Sequence, residues 1–221
     1  MSNPITCRLA RLDERTLITS FLDEHWGSRH PLIHCDDFFN YYYTSEDTLQ
    51  FALAFSGEEL CAVGGYILAN QRPEPDIWVS IWCAKKGCNG VGLELMAALP
   101  KLTNARVMAC NNIRPKTMAF YTFLGYTAAR LPHYYRLGTH SSFEVAKIAC
   151  PERLPVAPGK PLEPLATEED FRAVFKPNDA VCPYKDMWYL VRRYYHFPRQ
   201  TYQVWHLEGR ILVTRTVEVG T

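Results

Sequence analysis

The sequence has no apolar run long enough to cross a bilayer. Its longest near-apolar stretch, Cys61 to Ala69, falls far short of the ~20 residues a spanning helix needs. The opening residues, with Arg8, Arg11, Asp13 and Glu14 among them, carry no apolar core of the secretory kind. The eight cysteines never stand two residues apart, so the tight pairs typical of structural zinc are missing, and the chain is not a short, Cys-dense disulfide scaffold. The nearest approach to a metal cluster is His25, His30, His34 and Cys35, but Pro31 breaks any helix that would bring His30 and His34 to one face. Net charge is nearly absent, 24 basic against 23 acidic side chains leaving +1, which argues against a polyanion coat or a membrane-hugging surface. The expectation is a soluble, cytoplasmic protein with reduced, packed thiols and no bound metal.

What is present is ordinary for a globular chain of 221 residues: 48% apolar, 21% charged. That length suits one generous domain, or one domain and a partial second. Aromatics at 13% favour strands or an aromatic-lined cleft. Ile5–Ala10 reads as a strand, and Leu17, Ile18, Phe21 and Leu22 then repeat at helical spacing to about Trp26. Asp36–Tyr43 reads as a second short helix. Leu49–Ala54 and Leu60–Ala69 form a hairpin about Ser56-Gly57-Glu58-Glu59. Ile77–Cys83 is a strand, Leu93–Leu99 a helix ended by Pro100, and Ala105–Cys110 a further strand. Pro115 opens a helix that Gly125 stops. Tyr126–Leu137 and Phe143–Ile148 are expected to close this region as two strands.

Prolines at 151, 155, 158, 161 and 164 mark a stiff linker, placed at 151–166, between a domain over 1–150 and a segment over 167–221. Thr167 with Asp170 begins a helix, Met187, Leu190, Val191 and Tyr194 repeat at helical spacing, and Tyr202–Leu207 with Ile211–Val219 form a hairpin. This order of helix, aromatic cluster and hairpin echoes the first sixty-odd residues, as an incomplete duplication would. Such a segment is marginal alone and is expected to dock on the first domain or on another subunit, with a homodimer through it left open.

Charge is unevenly spread. Ile77 to Phe143 holds eight basic residues and one acid, Glu94, a net +7 against −6 elsewhere. A field of one sign concentrates an anionic ligand. Its aromatics (Trp78, Trp82, Phe120, Tyr121) fall within core elements, not on an exposed stacking platform, so nucleic acid is disfavoured as the partner.

Inside that basic segment Gly87-Cys88-Asn89-Gly90-Val91-Gly92 joins a strand to a helix. Glycine lets backbone amides approach a ligand closely, and the helix start adds unpaired N–H groups, together a phosphate cradle. A nucleotide-triphosphatase loop is excluded because Leu93-Glu94 stands where Lys-Ser/Thr is required. A dinucleotide loop is excluded by glycines at its first, fourth and sixth positions and by the hairpin-led chain before it.

Strand, glycine loop with Gly90-Val91-Gly92, helix, strand, then a helix carrying Tyr121 before Gly125-Tyr126: over about residues 5–149 this order resembles the GNAT N-acetyltransferases. The resemblance implies an α+β fold with a mixed, mostly antiparallel sheet flanked by helices, followed here by a smaller α+β extension. It implies acetyl-CoA as co-substrate. The amides of Gly87, Cys88, Asn89, Gly90, Val91 and Gly92 would hold the pyrophosphate, with Asn112 and Arg114 nearby. The main chain of Ile81, Trp82 and Cys83 would pair with the pantetheine arm, and Tyr121 would protonate the departing thiolate. Two positions depart from the family pattern: Gly87 replaces the usual Arg or Gln, with Lys85 and Lys86 close by, and Arg114 stands where Asn is frequent. Asp76, His34 and a water chain remain alternatives for the base. The Trp26–Tyr43 stretch falls where the acceptor cleft is expected, its His30, His34, Asp36, Asp37 and tyrosines serving either a polar amine or a structural cluster. Acetyl transfer to a small amine, an amino sugar among the candidates, is the leading expectation. The alternative is a GNAT-like module that binds CoA or another ligand without turnover. The truncated second copy also resembles tandem acetyltransferases of bacterial polysaccharide loci.

Overall fold

The computed structural model describes residues 4–26, 30–45, 47–132, 134–139, 142–143, 148, 152–153, 155 and 158–217. Its larger part is a five-stranded sheet in sequential order, β1 (Ile5–Ala10), β2 (Leu49–Ser56), β3 (Glu59–Leu68), β4 (Asp76–Ala84) and β5 (Val107–Cys110). All neighbours are antiparallel except β4 and β5, which run parallel. That parallel pair requires a crossover, supplied by α4 (Val91–Leu102).

Both faces of the sheet are covered, which is why β2 is apolar at nearly every position instead of alternating. Phe51, Leu53 and Val63 face α1 (Arg15–His25), α2 (Pro31–His34) and α3 (Asp36–Tyr43), packing on Ile18, Phe21, Leu22, Phe39 and Tyr43. Ala52, Ala54 and Ala62 face α4, meeting Leu95, Met96 and Leu99. The small residues on that face bring α4 close: a Cβ on Gly64 would stand 2.8 Å from Met96 Cε.

Several expectations need correction. Pro31 opens the short helix α2 at its first position, where its missing N–H costs nothing, instead of breaking a helix. His30 caps it, its ring nitrogen accepting from the Leu32 amide at 3.2 Å. Pro100 lies inside the last turn of α4 and does not end it. Tyr126–Leu137 forms no strand among its described residues; Leu131 and Tyr134 are over four-fifths exposed, so the apolar positions there find no sheet to pair with. Most of Phe143–Ile148 lies outside the described residues, as do several positions of the proline-rich stretch. Pro115 opens a 3-10 turn that leads into α5 (Met118–Phe123), and Gly125, at φ +87°, ends it.

The C-terminal part builds its own three-stranded antiparallel sheet, β6 (Glu163–Pro164), β7 (Gln203–Leu207) and β8 (Arg210–Thr214). Two helices precede β7: α6 (Glu168–Val174), with its Thr167–Asp170 capping box, and α7 (Met187–Tyr194). Leu165, Phe171, Leu190, Val191 and Val204 form its core. The order strand, helices, strand, strand, with the strands as sequential neighbours, repeats that of β1 through β3.

This part docks on the first. Phe197 inserts among Phe38, Tyr41 and Tyr42 with ring centroids 5.0–5.7 Å apart. Arg193 donates to the Tyr42 hydroxyl at 2.7 Å, and Arg199 pairs with Asp37 at 2.7 Å. Buried Asp76 accepts both from the Arg106 guanidinium, at 2.7 and 2.9 Å, and from the Tyr184 amide at 2.5 Å.

Candidate active site

The site begins with a fault in the sheet. Gly65 pairs with Ile81 and Tyr66 with Val79, so Ser80 is an extra residue, a β-bulge. One inserted residue reverses which side chains face which layer. Val79 and Ile77 belong to the α4 face, whereas Ile81 and Cys83 turn into the core under α1 and α3. The bulge also coincides with the end of the β4–β5 ladder, whose last pair is Val79 with Cys110. Beyond it β4 runs on to Ala84 while β5 has stopped, and the strands part.

A cleft of about 500 Å³ occupies the gap. One wall is the free edge of β4 from Val79 to Ala84, and the other is Cys110 through Arg114 with Lys116, Thr117 and Tyr121. His25 and Trp26, at the end of α1, close one end. The structure thus brings Ile81, Trp82, Cys83, Asn112, Arg114 and Tyr121 to one cavity. Ile81 and Cys83 offer it their main chain only, since their side chains are buried in the opposite core. Asn112 adopts φ +55°, turning the chain away from β5.

The glycine loop is not in the cleft wall but follows it directly, as β4 passes from Ala84 through Lys85-Lys86 into Gly87. Gly87 and Gly90 adopt φ +98° and +84°, and a Cβ built on either would meet nothing within 4 Å. The loop mouth is therefore open. Gly92 is the reverse case: a Cβ there would stand 3.0 Å from that of Ala84 and 3.2 Å from Trp82 Nε1, so its glycine lets α4 start hard against the end of β4. The amides of Leu93 and Glu94 bond back to the Gly90 carbonyl, whereas those of Gly90, Val91 and Gly92 have no acceptor among the described residues. Three unpaired donors at a helix start form an anion cradle. Lys85 pairs with Glu59 at 2.5 Å, so Lys86, exposed, is the lysine of this pair left to add charge there.

Tyr121 is only 6% exposed, packed edge-on against Trp82 and Tyr126 at centroid distances of 5.7 and 6.3 Å. It neighbours the Cys110 thiol on the cleft wall. Burial first, and then the neighbouring Cys110 thiol, push the phenol well above its ordinary value. Burial also raises the Cys110 thiol. Tyr121 is thus both a packed aromatic and a protonated donor at the cavity.

Of the two titratable residues expected as alternatives for the base, neither reaches the cleft: Asp76 is saturated at the root of β4, and His34 pairs with Asp23 at 2.7 Å. His25 does reach it, flanked by Phe21 at a centroid distance of 4.6 Å. Neither His25, which the sequence placed only among the residues nearest to a metal cluster, nor the Ser80 bulge is marked by any motif for this site. Asp36 and Asp37 pair with Arg15 and Arg199, and Tyr41 and Tyr42 lie under the C-terminal part, so this stretch is a docking surface and not an open acceptor cleft.

No protein-family model matches the sequence, and no curated protein is significantly similar to it. Solved structures do resemble it. An aminoglycoside N-acetyltransferase, AAC(6')-Iy, in complex with CoA is 12% identical, with a TM-score of 0.46 over 62% of this chain and 97% of that one. An aminoglycoside acetyltransferase from an uncultured soil metagenomic sample, in complex with trehalose, is 13% identical, with a TM-score of 0.44 over 61% and 96%. An acetyltransferase, so described without a stated substrate, from Pyrococcus horikoshii is 16% identical, with a TM-score of 0.43 over 56% and 43%. At such values none of them bears on what this chain binds or does.

Proposed function

We propose that the protein is an acetyl-CoA-dependent N-acetyltransferase of the GNAT type acting on a small amine, with amino sugars among the candidates to be tested. The observation that carries the reading is the parting of β4 from β5 next to an open glycine loop. An extended thiol-bearing arm can lie along the free edge of β4, as a further strand would, while its diphosphate meets the amides of Gly90, Val91 and Gly92. Lys86, Arg114 and Lys116 supply positive charge on the exposed sides.

In the reaction the amine nitrogen attacks the thioester carbonyl, and outward-facing amides of β4 stabilise the developing oxyanion. The tetrahedral intermediate collapses with cleavage of the C–S bond, and Tyr121 gives its phenolic proton to the departing sulfur. His25, which lines the cleft, takes the proton that the amine loses. The C-terminal part is a partial second copy of the same fold, supported by its repetition of the β1–β3 order.

Two measurements test this. Acetyl-CoA at one hundred times its Kd would stabilise the protein by roughly 2.7 kcal/mol, a melting shift of several degrees. Incubation with acetyl-CoA and a panel of amines, including amino sugars, should release free thiol with at least one of them. Cofactor binding without thiol release on any amine would favour a non-catalytic ligand-binding module. No shift with either acetyl-CoA or CoA would overturn the acetyltransferase reading and leave only a module for another ligand.

A further inference from the structure

Cys88 stands in the middle of the glycine loop, and its sulfur lies 2.9 Å from that of Cys61 on β3. The loop is folded back to bring them together. The Lys85 amide bonds to the Cys61 carbonyl at 2.8 Å, extending the β3–β4 ladder by one residue, and the Cys88 amide turns back onto the Lys85 carbonyl at 3.2 Å. Cys61 is buried and Cys88 half-buried at the loop surface, so one thiol is shielded and the other reachable.

We propose that Cys61 and Cys88 form an oxidisable dithiol site whose bridging controls the glycine loop. The consequence for cofactor binding rests on the acetyl-CoA reading above; the thiol chemistry does not. With a hydroperoxide as oxidant, the Cys88 thiolate attacks the peroxide oxygen, the O–O bond breaks, and an alcohol or water leaves with the proton from the thiol. The Cys61 sulfur then attacks the resulting sulfenic sulfur, the S–O bond breaks, and the hydroxide released leaves as water with the Cys61 proton. The two thiols lose two electrons, and the peroxide gains them. A disulfide needs a separation of about 2.05 Å, so the sulfurs must close by roughly 0.9 Å. Glu59 also lies beside both sulfurs, but a shared zinc fits less well. Tetrahedral thiolate ligands sit about 3.8 Å apart, and Glu59 is already held by Lys85 at 2.5 Å. Bridging would draw residue 88 down onto β3 and re-aim the amides on either side of it, against φ values that Gly87 and Gly90 hold with open space around them.

The test treats the full-length protein with stoichiometric hydrogen peroxide and maps its peptides by mass spectrometry before and after dithiothreitol. The expected result is a Cys61–Cys88 cross-linked peptide, two hydrogens lighter than its parts, together with an about tenfold weaker Kd for acetyl-CoA that dithiothreitol restores. Cys61→Ser and Cys61→Ala should bind acetyl-CoA like the parent when reduced and lose the peroxide effect. A peroxide-treated protein in which Cys88 is oxidised alone, or in which the cross-link forms and the Kd is unchanged, would overturn the proposal, as would zinc binding that protects both thiols from alkylation. If reduced protein fails to bind acetyl-CoA while the cross-link still forms, the cofactor reading is what fails.

Discussion

The hydroxyls of Tyr43 and Ser80 lie 2.9 Å apart beneath the bulge in β4. Ser80 gives its own proton to the Gly65 carbonyl at 3.0 Å, so Tyr43, fully buried, is the donor of the pair. The point at which β4 leaves β5 is therefore pinned from below by a side chain of α3. Tyr43→Phe should cost about 1 kcal/mol, lowering Tm by about 2–4 °C. Ser80→Ala, which orphans the buried Tyr43 hydroxyl, should cost more, about 1–3 kcal/mol. Thermal denaturation of both variants decides the order, and the reverse order would mean the pair does not hold the bulge.

Gly90→Val places a β-branched residue at φ +84°, a conformation that costs a non-glycine residue about 1–2 kcal/mol. The larger expected effect is on the ligand, because the new side chain projects into the loop mouth. The melting shift produced by acetyl-CoA should fall by at least half. A full shift would place the diphosphate elsewhere.

Tyr121→Phe keeps the ring packed on Trp82 and removes the proton. Turnover should drop about a hundredfold with little change in KM for acetyl-CoA. The pH profile follows from the direction of the shift: a phenol raised by burial stays protonated beyond its ordinary value of about 10. The rate should therefore show no loss from ionisation of Tyr121 up to at least about pH 10. His25→Gln, which removes the proposed base, should also lower turnover. A fall in rate between pH 8 and 9 in the parent would contradict the assignment of Tyr121 as the acid.

The strands and helices that carry the cleft were legible because local signals agreed with the tertiary structure. Asp36–Tyr43 pairs an acidic first turn with an aromatic buried face, and Ser56–Glu59 is turn chemistry between two apolar runs. The glycine loop was legible for the same reason, since glycine with φ above zero leaves a mark in composition. The bulge at Ser80 left none: a serine in a strand reads as a solvent-facing position, and only the register with β3 shows that it is an inserted residue. The apolar and aromatic positions of Tyr126–Leu137 misled because β-prone residues make a strand only where a partner edge is available. The acidic and tyrosine-rich stretch around Asp36 looked like a ligand surface because the partners of Asp37, Tyr41 and Tyr42, namely Arg199, Arg192 and Arg193, lie some 150 residues further along.

Glu14 carries an acid-stability prediction. The Arg8 guanidinium grips its carboxylate at 2.5 and 2.8 Å, the Arg11 amide adds a bond at 2.8 Å, and its carboxyl is held down to about 2. A carboxyl whose folded value lies below its unfolded one contributes stability above the unfolded value and loses it as pH falls through the folded one. That contribution should be complete at neutral pH and vanish between about pH 4.5 and 2. Glu14→Gln should lower Tm at pH 7, and the gap from the parent should close across this window. A gap that stays constant down to pH 2 would show that the loss comes from packing and not from the ion pair.

Asp76 sits where three segments of chain meet: it opens the strand that edges the cleft, clasps Arg106 just before β5, and takes the Tyr184 amide of the C-terminal part. This carboxylate thus joins the C-terminal third of the polypeptide to the root of the groove. Shortening the protein at its proline-rich stretch would not simply discard an appendage; it would unseat the anchor from which the ligand-facing strand is hung.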